Sequence, residues 1–196
     1  MICGKDFFLG YMPERLIEGN AIEEIRLLPQ VFAGISKECK KQMTNFVEQV
    51  FSRYLSCNSV EEAELIKLTS NAFRDLNFAF SNQISKLSRK FNLSGSELID
   101  KANYGYERNS ITRPSLGVGG HCLTKDPLLL SKSINSKDYK YLFSDISLKS
   151  NEDFLRFNMK RISMLFKKNF NNKKIKILIF GISFKSFPEN IDTRNS

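Results

Sequence analysis

The chain reads as an α/β protein whose middle is mainly α-helical. Three observations carry that reading. From Val60 to Phe91 there is neither proline nor glycine, and Leu65, Leu68, Ala72, Leu76, Phe80, Ile84 and Leu87 recur at helical spacing. Residues 7–35 instead mix short apolar runs with Pro13, Gly19, Pro29 and Gly34, the punctuation of strand and loop ends. Near the other end, Lys174–Gly181 is a short, mostly apolar run with the length and composition of a buried strand.

The elements follow in order. Ser36 is placed to cap a helix running to about Tyr54. Asn58 or Ser59 caps the next, Val60–Phe91, which at 1.5 Å per residue is about 45–50 Å long. That exceeds the core of one small domain, so this helix bridges domains, meets a second subunit, or does both. Ser94 caps a helix through Ala102. Asp126 and Pro127 open a short helix, Leu128–Ser133, with proline at a tolerated first-turn position. Residues 135–145 form a polar linker, and Ile146–Asn169 is helical. Residues 169–173, Asn-Phe-Asn-Asn-Lys, mark a domain boundary. There is no internal repeat.

Composition narrows the function classes. At 196 residues the chain can bury one good core. The net charge of +9 attracts polyanions, a nucleotide diphosphate or a nucleic acid. The lysines are spread out, without the basic and aromatic stripe of nucleic-acid binders, so nucleic acid is disfavoured. No apolar run is long enough to span a bilayer, and the start lacks a signal-peptide pattern. Four unpatterned cysteines suit a reducing compartment such as the cytoplasm.

The chemistry concentrates in residues 117–126, Gly-Val-Gly-Gly-His-Cys-Leu-Thr-Lys-Asp. Three glycines in four positions let the backbone turn sharply and approach a ligand. Cys122 follows, with Lys125 and Asp126 close by, and a neighbouring cation favours a nucleophilic thiolate. The alternative is a glycine turn holding an inert cysteine. The single histidine, His121, adjoins the cysteine, whereas a cysteine-protease dyad draws its histidine from elsewhere in the chain. No Cys-x-x-Cys pair exists, which disfavours a metal site. Gly117-x-Gly119 starts like a dinucleotide fingerprint, but Cys122 stands at the third glycine position and no apolar strand leads in. Covalent catalysis by a thiolate remains.

Residues 117–127, ending in Asp126-Pro127, resemble the active-site loop of the nucleotide-sugar 6-dehydrogenases. This family includes the UDP-glucose, GDP-mannose and UDP-N-acetylmannosamine enzymes. Three further segments resemble it in the same order: Tyr11-Met-Pro-Glu-Arg-Leu-Ile-Glu-Gly-Asn20; Glu64-Leu-Ile-Lys67 with Asn71; and residues 174–185 followed by Asp192-Thr-Arg194. The resemblance covers nearly the whole chain. It departs at Pro114-Ser-Leu-Gly117, where the family usually has Pro-Gly-Pro-Gly. His121 leans toward the N-acetylhexosamine, N-acetylmannosamine or mannose branches.

The resemblance implies an organisation. Residues 1–55 would be the end of an NAD-binding Rossmann domain lacking its fingerprint, with Phe7-Phe8-Leu9 a late strand of it. Residues 56–170 would be the helical central dimerisation and catalytic domain, and 171–196 the start of a UDP-sugar-binding Rossmann-like domain. The chain would thus be a fragment of a longer enzyme, with NAD as cofactor and its site largely missing. A homodimer, and possibly a separately encoded NAD-binding domain, would be its partners. The implied activity is a two-step oxidation of a UDP-sugar C6 alcohol to the uronic acid through a cysteine thioester, serving polysaccharide biosynthesis. The competing reading is an inactive remnant or a dimerisation module of a split gene.

The resemblance also implies roles. Cys122 is the nucleophile, Lys67 and Asn71 hold an oxyanion, Asp126 orients water, and Glu14 assists thioester hydrolysis. Gly117, Gly119, Gly120, Asn103, Arg108 and Lys185 would contact substrate; Lys125 and Arg194 would reach cofactor. Glu18 stands where some members carry glutamate. Outside the resemblance, Lys67 and Asn71 are an ordinary solvated helix face, Glu14 a loop carboxylate beside Arg15, and Arg108 a surface arginine.

Overall fold

The computed structural model describes residues 1–17, 20–133, 142–170 and 175–179. They fall into two compact units, Met1–Ser70 and the described residues from Asn71 onward. The expected α/β class holds, with a small sheet in the first unit and helices elsewhere.

The first unit is built on β1 (Gly10–Tyr11), β2 (Gln30–Gly34) and β3 (Tyr54–Ser56), in that order across the sheet. β2 pairs antiparallel with β1, Gly10 opposite Gly34, and parallel with β3, Gln30 opposite Tyr54. As the central strand it loses apolar alternation, and Val31, Phe32 and Ala33 are all fully buried. Parallel neighbours need a crossover, supplied by α2 (Lys37–Val50). Ser36 Oγ accepts the Cys39 amide at 3.2 Å, the expected N-cap. A Cβ on Gly34 would stand 2.2 Å from Lys40 N and 2.5 Å from Lys40 Cα, so only glycine lets strand and helix meet this closely. Val31, Ala33, Cys57 and Ala63 form a core cluster, with Tyr11, Val60 and Ile66 packed on it. α1 (Ala21–Leu27) precedes β2 and buries no residue.

Two expectations fail in this unit. α2 stops at Val50, not near Tyr54. Phe51 turns extended, Gln30 N–H bonds to Arg53 O at 2.9 Å, and the next residues join the sheet as β3. Phe7-Phe8-Leu9 is not a strand. Gly4 N–H bonds to Phe7 O at 2.8 Å, so a local turn takes up this segment and leaves all three side chains exposed.

α3 (Val60–Ser88) runs through both units. Ser59 Oγ accepts the Glu62 amide at 3.2 Å, and Glu62 Oε2 accepts the Asn58 amide at 2.6 Å, a reciprocal cap. A 3₁₀ turn, Arg89–Phe91, prolongs the helix and Asn92 ends it in the left-handed region at φ 56. α4 (Gly95–Asn103) is capped by Ser94, as expected. α5 (His121–Ser133) and α6 (Phe143–Phe170) complete the second unit, joined where Ser131 Oγ donates to Asp145 Oδ1 at 2.6 Å.

Three boundaries differ here from expectation. α5 opens at His121, not after Pro127, because the glycines end in a turn that starts the helix early. Pro127 then lies inside it, at a position that forfeits one backbone hydrogen bond. α6 begins at Phe143, where Leu142 O accepts the amides of Asp145 and Ile146, so residues 143–145 are helix rather than linker. Residues 135–141 of that linker lie outside the described residues. Residues 175–179 are neither strand nor buried: no described strand pairs with them, and Leu178 and Ile179 are about three-quarters exposed. No helix among the described residues is long and apolar enough to cross a membrane.

Candidate active site

The glycine stretch delivers a cysteine to the start of a helix. Gly120, at φ 85, makes the turn that L side chains resist, and Thr124 Oγ1 donates to its carbonyl at 2.9 Å. Cys122 and Asp126 therefore stand one turn apart on the same face of α5, not on a loop. Cys122 is a free, half-buried thiol, while Asp126 is fully buried.

A buried carboxylate persists only when its oxygens are satisfied. Asp126 Oδ2 accepts Asn71 Nδ2 at 2.7 Å. Asp126 Oδ1 accepts Lys125 Nζ at 2.9 Å. The structure thus brings together Asn71 and Asp126, 55 positions apart in sequence. Lys67 precedes Asn71 by one turn on α3 and belongs to the first unit, as does Glu14, whose carboxylate accepts the Leu16 amide. Lys185, Arg194 and Glu18 lie outside the described residues.

The chain leading into the glycines is pinned by asparagines that sequence reasoning passed over. Asn77 on α3 donates to Ser110 O at 2.6 Å and accepts the Thr112 amide at 3.0 Å. Asn82, one helix face further, accepts the Ser115 amide at 2.9 Å, and Ser115 Oγ donates to Gly117 O at 2.8 Å. Asn103 of α4 donates to Ile111 O at 2.8 Å and accepts the Ile111 amide at 3.2 Å, so both ends of its amide are engaged on backbone. Arg113 forks onto Asp100 through two bonds of 2.8 and 2.9 Å and holds that carboxyl below its usual range. Arg108 stacks over the Tyr106 ring, 4.5 Å from its centre.

Behind Asn82 lies a buried polar seam between α3 and α6. Asn82 Nδ2 donates to Asn151 Oδ1 at 3.1 Å, and Asn151 Nδ2 donates to Asp75 Oδ1 at 2.7 Å. Ser147 Oγ donates to Asp75 Oδ2 at 2.5 Å. Burial pushes the Asp75 carboxyl up, against the opposing pull of the Ser147 and Asn151 hydrogen bonds. The signal for this seam was the polar spacing Asn71, Asp75, Asn82 among the apolar positions of α3. Its partners lie 69 to 76 residues away, which no local pattern reveals.

Chemically, the arrangement presents a thiol at the end of a pinned backbone, beside an amide–carboxylate–ammonium set. Such a set suits attack on an electrophilic carbon and stabilisation of the charge that develops there.

The chain is similar to known proteins. Residues 61–153 match the model of the central domain of the UDP-glucose/GDP-mannose dehydrogenase family. The UDP-N-acetyl-D-mannosamine dehydrogenase of Pyrococcus horikoshii is 31% identical over 98% of this chain and 45% of its own length. The enzyme of that name from Campylobacter jejuni is 35% identical over 64% of this chain and 31% of its own. The solved UDP-D-ManNAc dehydrogenase of P. horikoshii superposes with a TM-score of 0.74 at 28% identity, covering 83% of this chain and 38% of that one. The chain spans less than half the length of each of these relatives. A central-domain match, agreement along nearly the whole chain and a shared fold place this chain in the nucleotide-sugar dehydrogenase family.

Proposed function

We propose that this chain carries the thiol half of an NAD-dependent nucleotide-sugar dehydrogenase that oxidises the C6 alcohol of a UDP-sugar to the uronic acid. The observation that carries the proposal is the Asn71–Asp126–Lys125 set with Cys122 one turn before the carboxylate. Relatives named UDP-N-acetyl-D-mannosamine dehydrogenase make an N-acetylhexosamine the first substrate to test.

In this reading the Cys122 thiolate adds to the C6 aldehyde and forms a thiohemiacetal. That adduct would lose a proton and pass a hydride to the NAD that the proposed activity consumes, leaving a thioester, and water would release the acid and free the thiol. Asn71 and Lys67 steady the oxyanion, Asp126 holds Asn71 and orients the water, and Glu14 assists hydrolysis. Gly117, Gly119 and Gly120 bring backbone N–H groups to the sugar, with Asn103, Arg108 and Lys185 as outer contacts and Arg194 directed to the cofactor.

The described residues do not fit the dinucleotide. The strand-to-helix turn after β2 is Gly34-Ile35-Ser36, with one glycine instead of three, and the Ser36 hydroxyl is already spent on the helix cap. Lys125 is bonded to Asp126. No step is therefore assigned to cofactor contacts here. The proposed organisation remains residues 1–55 in a dinucleotide domain, 56–170 as central domain and 171–196 in a UDP-sugar domain.

The test is NADH absorbance with UDP-N-acetyl-D-mannosamine. The chain alone is expected to give none. The chain with a separately expressed NAD-binding domain is expected to give NADH and uronate. Turnover by the chain alone, or none with the added domain, contradicts the proposal.

We also propose self-association through α3. Phe73, Phe80 and Leu87 repeat every seven residues on it, at 61%, 49% and 49% exposure. Light scattering at micromolar concentration is expected to give a two-fold dimer; a folded, strictly monomeric species contradicts it.

A further inference from the structure

Away from Cys122, two other thiols are in contact. Cys3 Sγ lies 3.5 Å from Cys39 Sγ, and both are free. Cys3 is half-buried in the N-terminal turn, and Cys39 is buried in the first turn of α2. Forming a disulfide from this contact requires the sulfurs to close by about 1.5 Å, to the usual S–S length of about 2.05 Å. The residues around Cys3 are tied by short-range bonds, Gly4 N–H to Phe7 O and Asp6 N–H to Ile2 O.

We infer that Cys3 and Cys39 are a redox-responsive pair that joins in a reversible disulfide, clipping the N-terminal turn to α2. The two sulfurs are equipped differently. The Ser36 hydroxyl, then the Leu9 amide 3.4 Å away, holds the Cys39 thiol below its usual value. Burial, then the Cys39 neighbour, pushes Cys3 up. Cys3, the less buried of the two, is the thiol an external disulfide reaches, and Cys39, whose thiolate form is the more favoured, resolves the adduct.

With oxidised glutathione the steps balance. Cys3 sulfur attacks one glutathione sulfur, the glutathione S–S bond breaks, and the first glutathione leaves with the Cys3 proton. Cys39 sulfur then attacks Cys3 Sγ, the mixed disulfide breaks, and the second glutathione leaves with the Cys39 proton. Two protein thiols are oxidised and one glutathione disulfide is reduced. The inference stands on this pair alone and does not depend on the dehydrogenase reading.

Non-reducing peptide mapping of the chain after exposure to oxidised glutathione tests it. The expected product is a Cys3–Cys39 linked peptide lacking two hydrogens, lost again on treatment with a dithiol. In Cys39→Ala, Cys3 is expected to stop at the glutathione adduct. Should that core substitution prevent folding, Cys3→Ser is expected to leave Cys39 unlinked. Wild-type protein that stops at glutathionylated Cys3 overturns the inference. So does a link from either thiol to Cys57, to Cys122 or to a second chain.

Discussion

Cys122→Ser is expected to lower uronate formation by the complemented chain by on the order of 10³-fold or more. A serine hydroxyl keeps the shape at the start of α5, so the Asn71–Asp126 pair should persist and the loss should be chemical. At neutral pH a hydroxyl without a general base is a far poorer nucleophile than a thiolate, and His121, directly adjacent on the helix, is badly placed to act as one. The expected signature is a lost kcat with substrate binding little changed, since the thiol bonds substrate only during reaction. Uronate formation within a few-fold of wild type removes Cys122 from the mechanism.

The second large effect concerns stability. Asn151→Ala is expected to cost about 3 kcal/mol in urea unfolding. Its Nδ2 donates to Asp75 Oδ1 at 2.7 Å and to Asp75 O at 3.2 Å, while its Oδ1 accepts from Asn82 at 3.1 Å. Removing it leaves the buried Asp75 carboxyl with Ser147 as its one side-chain donor and the buried Asn82 Nδ2 without its acceptor. The pH dependence has a definite sign. Asp75 is raised in the folded state, so its contribution is whole below the ordinary carboxyl value of about 3.9 and is lost as pH rises through the folded value. Losing the Asn151 donor raises Asp75 further, so the variant should lose additional stability with rising pH over a wider window than wild type. A cost below about 1 kcal/mol with an unchanged pH profile contradicts the seam as a stabilising network.

Asn82 links the seam to the site, because its Nδ2 donates to Asn151 while its Oδ1 accepts the Ser115 amide at the root of the glycine stretch. Asn151→Ala should therefore loosen the approach to Cys122, and Cys122 alkylation offers a separate readout of that. In the folded wild-type chain Cys122 should label ahead of buried Cys39 and Cys57. Preferential labelling of either buried thiol would contradict its placement.

Local chemistry made the helices readable. Ser36, Ser59 and Ser94 each accept an amide at the helix start they were expected to cap. The unbroken stretch from Val60 is one helix because nothing in it interrupts the backbone ladder. β3 was hidden because Tyr54–Ser56 is a strand only through pairing with β2, which lies more than twenty residues earlier. Pro127 misled because proline usually marks a helix start, whereas here Gly120 sets the start and the helix tolerates the missing bond. In the site, the Cys122–Asp126 spacing and Asn71 were legible as a motif. Asn77, Asn82 and Asn151 were not, since a lone asparagine in a helix looks the same whether it faces water or clamps a distant backbone.

The most direct test of the central claim needs no cofactor. The chain is mixed with the 6-aldehyde of UDP-N-acetyl-D-mannosamine, ¹³C-labelled at C6, and the C6 resonance is followed. The account predicts a thiohemiacetal signal that appears with the wild-type chain and is absent with Cys122→Ser. A C6 signal unchanged by the wild-type chain, or equally changed by the serine variant, contradicts Cys122 as the covalent nucleophile.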